Sequence, residues 1–173
     1  MIGLLVILLV MFFSGINSNR HGAPFVPIKN NLVKSLLEFG GVSAKDIFYD
    51  LGCGDGRVLL SAVRDFSVQK TIGYEISLWP YLESKFLFWQ VGKAAELHRC
   101  DFFKTDLSSA TFIYMYLFPK LVNNLAGKIA KECNPGTKIL CPSFEIDLKT
   151  RREFKLLKSE KIGKITAYLY EKI

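Results

Sequence analysis

The four cysteines of this 173-residue chain, Cys53, Cys100, Cys133 and Cys141, form no CxxC pair and no zinc-ligand spacing. No metal site is therefore expected, and the thiols read as reduced, small, mostly buried residues. Internal repeats are absent, and so is low complexity beyond a short polar stretch at residues 17–23. Charged residues make up 23% and hydrophobic ones 50%, a balance that fits neither general disorder nor a polytopic membrane protein. The length suits one ordinary domain with a sizeable core and leaves no room for a second.

Residues 1–19 lack any charged side chain, and Ile2 to Phe13 is almost unbroken aliphatic and aromatic. No Lys or Arg precedes that run, so a cleaved signal peptide, which needs a basic start, fits poorly. As a helix the stretch would span roughly 28 Å against a hydrocarbon core of about 30 Å. It is expected to be an uncleaved hydrophobic helix, a membrane anchor at 1–19 with its contact through residues 2–16, ahead of a folded domain at 20–173. Arg20, Lys29 and Lys34 follow it, and the positive-inside rule then leaves the domain cytoplasmic. Acidic side chains are scarce in the last third: residues 120–173 hold 12 Lys/Arg and 6 Asp/Glu, against 11 and 10 in residues 1–119. Such a basic face suits anionic lipid, an acidic protein or nucleic acid. Without aromatic interleaving or an RNA-binding module, nucleic acid ranks last among these partners.

The most informative stretch is Asp50-Leu51-Gly52-Cys53-Gly54-Asp55-Gly56-Arg57, directly behind the strand-like run Asp46-Ile47-Phe48-Tyr49. A strand that turns into a helix through glycines brings backbone N–H groups against a ligand at the carboxyl end of a parallel sheet. The spacing is G-x-G-x-G rather than the dinucleotide G-x-G-x-x-G, and Asp50 stands two before the first glycine. A pyrophosphate would be repelled by that carboxylate, whereas a cationic ligand would not. The pattern resembles motif I of the class I methyltransferases, and the resemblance implies S-adenosylmethionine, whose sulfonium and α-ammonium make it cationic. Glu75, closing the run Gly73-Tyr74-Glu75 about 20 residues further on, has the position from which a strand-end carboxylate holds ribose hydroxyls.

Strands are expected at 46–50, 71–75, near 97–99, 111–117 and 137–141, with helical stretches at 30–39, 56–65, 79–91 and 120–132. Two successive strands at 153–159 and 164–171, separated by Glu160-Lys161-Ile162-Gly163, break the alternation. The fold expected is α/β: a Rossmann-like, seven-stranded, mostly parallel sheet with an antiparallel C-terminal hairpin, preceded by the N-terminal hydrophobic helix.

Several stretches resemble one narrower family. Ala23-Pro24-Phe25-Val26-Pro27, the glycine loop, Gly73-Tyr74-Glu75-Ile76 with Trp79, Asp101-Phe102-Phe103-Lys104 and Ala167-Tyr168 are similar to the membrane-associated protein-lysine methyltransferases. These are class I S-adenosylmethionine-dependent enzymes that include those acting on the c subunit of ATP synthase and on the adenine nucleotide translocase, with prokaryotic relatives. The resemblance implies that Asp50, Gly52, Gly54 and Gly56 wall the methionine part of the cofactor and that Glu75 holds its ribose. It places Asp101 and Phe102 at the adenine, and it has the segment Pro24, Phe25, Val26 and Pro27 close over cofactor and substrate. Ile28 departs from the Ser or Thr expected after that segment.

The fourth strand ends in Tyr114-Met115-Tyr116-Leu117-Phe118-Pro119, with no Asn-Pro-Pro-Tyr to bond a flipped base or an amide. Tyr116 and Phe118 are expected to line a dry channel in which a lysine amine stays neutral and aligned for in-line attack. The function expected is S-adenosylmethionine-dependent methylation of protein lysine, the acceptor being a protein, including a membrane protein. Methylation of a small molecule or lipid, a non-catalytic membrane-tethered cofactor-binding module, and a nicotinamide oxidoreductase are the alternatives.

Overall fold

The computed structural model describes residues 27–92 and 95–173. It begins with α1 (Asn30–Gly40), which buries Val33, Leu36, Leu37 and Phe39 on one stripe. Gly41, at φ 67°, stops it: a left-handed residue lets the N–H groups of Gly41 and Val42 return to the carbonyls of Glu38 and Leu37. Alternation follows, with β1 (Ile47–Leu51), α2 (Arg57–Asp65), β2 (Lys70–Tyr74), α3 (Leu78–Val91), β3 (Glu96–His98), a 3-10 turn (Phe102–Lys104), β4 (Phe112–Tyr114), α4 (Pro119–Glu132), β5 (Lys138–Pro142) and the hairpin β6 (Phe154–Ile162) and β7 (Ile165–Lys172).

The seven strands form one sheet in the order β3-β2-β1-β4-β5-β7-β6. β1 to β5 pair in parallel, and β7 is antiparallel to both β5 and β6. The expected Rossmann-like sheet with its closing hairpin is the observed one. Side-chain alternation splits the core. Tyr49, Leu51, Ile113 and Met115 meet Leu121, Val122, Leu125 and Ile129 of α4 on one face. Phe48 and Phe112 meet Leu36 and Leu37 of α1 and Leu59 and Ala62 of α2 on the other. β1 is the middle one of the five parallel strands, and strand order reverses between it and β4, so the crevice in which such folds bind ligands lies at its carboxyl end.

Three expectations change. The fourth strand is Phe112–Tyr114 rather than 111–117, because its neighbour β1 turns away at the glycines and Pro119 opens α4. The hairpin strands run further than expected and leave only Gly163-Lys164 between Ile162 and Ile165. The third concerns the membrane. Among the described residues no helix is long and apolar enough to cross one; the longest, α3 and α4, have 14 residues, about 21 Å against the roughly 30 Å needed. The expectation of a membrane-anchored protein with a cytoplasmic domain is corrected accordingly. Residues 1–19, read as the anchor, and Pro24, Phe25 and Val26 of the closing segment lie outside the described residues.

Candidate active site

The sheet's carboxyl edge collects most of the residues singled out in the sequence. Asp50 is the penultimate residue of β1 and is 2% exposed. Behind it Gly52, Gly54 and Gly56 take φ values of 89°, 54° and 82°, conformations that a side chain strains against. The N–H groups of Gly52 and Cys53 both donate to the Tyr74 carbonyl at 2.9 Å, which bends the loop over the end of β2. Gly54 N–H donates to Glu75 Oε2 at 3.1 Å, and Ser77 N–H donates to Glu75 Oε1 at 2.7 Å. Glu75 thus clamps the loop it faces, and each carboxylate oxygen keeps a second lone pair for a ligand.

The three glycines serve different ends. Gly52 is exposed, and a Cβ there would come within 3.1 Å of Leu117 Cδ2. Gly56 is buried and packs α2 against α3: its Cβ would stand 3.0 Å from Ser84 Cβ and 3.3 Å from Phe88. Cys53, also buried, has its thiol pushed up by burial and by the Asp50 and Glu75 charges, so it stays protonated and unreactive.

Across the edge from β3 to β5, further candidates follow one another. Asp101 caps the 3-10 turn by accepting the Phe103 N–H at 2.9 Å. Phe102 is half-buried against the core on the α4 side. Beyond β4, Tyr116 is half-buried against the core on the α1 side, and Phe118 is 39% exposed with its ring 6.2 Å from that of Phe144. The structure therefore bonds the glycine loop to Glu75 with the Asp50 carboxyl close enough to feel the Glu75 charge, and it sets Asp101 with Phe102 to one side of them and Tyr116 with Phe118 to the other. Pro27, the one described residue of the closing segment, is exposed.

Two residues went unnoticed in the sequence. Arg57, the last residue of the glycine motif, pairs with Asp55 through Nε and Nη2 and donates from Nη1 to the Ile28 carbonyl at 2.7 Å. It thereby ties the residue after the closing segment to the loop. Tyr114, at the end of β4, is 2% exposed and its hydroxyl has no partner. Its alternation with Phe112, on the face shared by Phe48 and Asp50, was the available signal.

Electrostatically the loop is acidic. Burial, then the Glu75 and Asp55 charges, push the Asp50 carboxyl well above the usual range, and Asp50 Oδ2 is buried without a partner. A carboxylate so placed calls for a cation.

A family profile described as the ANTKMT methyltransferase domain matches residues 50–153, more than half of the chain. The chain belongs to that family. A protein-lysine N-methyltransferase of Saccharolobus islandicus (strain REY15A) is 38% identical over 125 residues, 71% of this chain and 78% of that protein. The adenine nucleotide translocase lysine N-methyltransferase of Mus musculus is 28% identical over 130 residues, 73% of this chain and 56% of that protein. A lysine N-methyltransferase of Xenopus laevis, named for the c subunit of ATP synthase, is 26% identical over 126 residues, 70% of this chain and 53% of that protein. The chain spans about half the length of these two vertebrate relatives. Among solved structures, an RNA methyltransferase from Salinibacter ruber in complex with S-adenosyl-L-homocysteine superposes with a TM-score of 0.77 at 26% identity, covering 84% of this chain and 93% of that one.

Membership of the ANTKMT methyltransferase family makes the chain an S-adenosylmethionine-dependent methyltransferase. The residues present fit that cofactor: the exposed Gly52 leaves the loop bare where a side chain would intrude, and the unpartnered Asp50 oxygen suits a cationic ligand.

Proposed function

We propose that this protein methylates the side-chain amine of protein lysines. The observation that carries the assignment is the 38% identity to a protein-lysine N-methyltransferase over 71% of the chain. The geometry agrees with it. The end of β4 offers aromatic Tyr116 and Phe118 where base- or amide-methylating enzymes would present Asn-Pro-Pro-Tyr. The cofactor supplies a methyl group on a sulfonium, an electrophile that needs no acid or metal.

The protein's own residues then have five tasks. Asp50 with Gly52 and Gly54 walls the methionine part, Gly56 lets α3 pack closely behind that wall, and Glu75 accepts from the ribose hydroxyls while it holds the loop. Asp101 and Phe102 border the adenine. Arg57 fixes the Ile28 carbonyl beside the glycine loop, and the Pro24–Pro27 segment ahead of it takes the role of excluding water as the acceptor enters. Tyr116 and Phe118 receive the lysine. Its ammonium must lose a proton before its lone pair can attack, and a desolvated aromatic lining lowers the amine's pKa. Alignment of amine, methyl and leaving sulfur does the rest, because in-line displacement gains most from orientation. The catalytic domain on this reading is 20–173.

Incubation of a lysate with the purified protein and methyl-labelled cofactor tests the reading. Label is expected in the protein fraction and to depend on Asp50 and Glu75. Label confined to RNA or to the organic phase would overturn the lysine assignment in favour of a nucleic-acid or a small-molecule and lipid acceptor.

A further inference from the structure

β1 and β4 run parallel, with Phe48 paired to Phe112 and Asp50 paired to Tyr114. Paired residues of parallel neighbours project on the same face of the sheet. The stacked rings of Phe48 and Phe112, 5.5 Å between centroids, therefore form an apolar layer, and Asp50 and Tyr114 form the next layer, at the carboxyl edge. In that upper layer sit two buried side-chain polar atoms with no hydrogen-bond partner, Asp50 Oδ2 and the Tyr114 hydroxyl. An unsatisfied buried polar group destabilises a fold, and a phenylalanine at 114 would fill the same space without that cost. Two such groups side by side, buried at the carboxyl edge where the fold binds its ligand, mark a place where a ligand completes the bonding.

Charge decides what kind of ligand. Asp50 lies among the acids Glu75 and Asp55, which with its burial push its carboxyl up. Burial and the Asp50 charge raise the Tyr114 hydroxyl well above its ordinary range, so it keeps its proton. An anion is repelled from this corner, and an uncharged apolar group leaves both oxygens unsatisfied. A cation that donates several hydrogen bonds meets every requirement, because it can give one N–H to the carboxylate and another to the phenolic oxygen.

We propose that Asp50 and Tyr114 form a paired acceptor site for a primary ammonium group, with Tyr114 as a specific ligand contact rather than a core aromatic. Only its place beside the cofactor wall rests on the functional reading above. Two ammonium groups reach this corner in the proposed reaction: the α-ammonium of the cofactor and the ε-ammonium of the incoming lysine before it loses its proton. The chemistry of recognition is the same for both.

Tyr114→Phe in the full chain tests the pairing through three readouts: thermal melting, the affinities of S-adenosylhomocysteine and 5′-methylthioadenosine by calorimetry, and kcat/KM for a protein acceptor. Since the hydroxyl has no partner within the protein, the variant is expected to melt no lower than the wild type. If the cofactor's ammonium is bound, S-adenosylhomocysteine weakens roughly tenfold, the scale of one charge-assisted hydrogen bond. The affinity for 5′-methylthioadenosine, which lacks the amino-acid portion, does not change. If the lysine's ammonium is bound, both affinities stay the same and kcat/KM for the acceptor falls by a similar factor through KM. Overturning outcomes are a melting point several degrees lower, equal weakening of both adenosine ligands, or all binding and kinetic values within twofold of wild type. A wild-type protein that binds no S-adenosylhomocysteine would refute the cofactor site itself, a separate failure.

Discussion

The Glu75 carboxylate bridges two backbone N–H groups, of Gly54 at 3.1 Å and of Ser77 at 2.7 Å, so one side chain both shapes the glycine loop and faces the ligand crevice. Hydrogen bonds to a charged acceptor contribute about 1.5–3 kcal/mol each. Glu75→Ala is therefore expected to lower unfolding free energy by about 2–4 kcal/mol in urea titration and to abolish cofactor binding by calorimetry. Wild-type stability in this variant would mean that the clamp does not hold the loop.

Asp50 makes the opposite prediction for stability. Its folded-state pKa is raised by burial first and then by Glu75 and Asp55, whereas in the unfolded chain it lies near the ordinary value of about 3.9. Below that pH both states are protonated and the fold keeps its full stability. As pH rises through the folded value, the unfolded state ionises freely while the folded state resists, so stability is lost. Asp50→Asn does not titrate. It is expected to melt several degrees above wild type near pH 7–8, with the gap closing towards pH 4, and yet to bind cofactor more weakly. Melting curves across that range check the sign, and a gap that widens as the solution is acidified would contradict it.

Glycine substitutions should separate packing from strain. At Gly56 a Cβ meets both a φ of 82° and Ser84 Cβ at 3.0 Å, whereas at Gly41 it meets a φ of 67° and open space. Gly41→Ala should cost about 1–2 kcal/mol, the strain of a left-handed residue, and Gly56→Ala clearly more, because α3 must also shift. Equal losses in denaturant titration would mean that the contact with Ser84 and Phe88 is unimportant.

Arg57 links the glycine loop to Ile28. Arg57→Gln should speed amide hydrogen exchange at residues 27–32 and raise KM for the acceptor about tenfold, with a smaller effect on cofactor affinity. Unchanged exchange there would show that the segment is held by other contacts.

Much of this architecture is visible in the sequence because strands and helices alternate with clear apolar periods, and because the Gly52–Gly56 spacing and the tail's alternation separate this sheet from its dinucleotide-binding cousins. What escapes is whatever depends on residues meeting across the fold. Arg57 and Ile28 are 29 positions apart, and no local pattern brings them together. Gly56 reads as a ligand-facing glycine, though its neighbours are Ser84 and Phe88. At the end of β4 the aromatic run Tyr114 to Phe118 directs attention to Tyr116 and Phe118. The buried, unpartnered hydroxyl belongs to Tyr114, whose position only strand pairing with Asp50 explains.

Lysine as the acceptor is the central claim, and tandem mass spectrometry of proteins treated with this enzyme and a methyl-deuterated S-adenosylmethionine tests it most directly. The account predicts the labelled methyl on lysine ε-nitrogens, absent with Asp50→Ala and reduced with Tyr116→Ala. Labelled methyl groups found on other side chains, on RNA bases or on small molecules, with lysines unmodified, would contradict it.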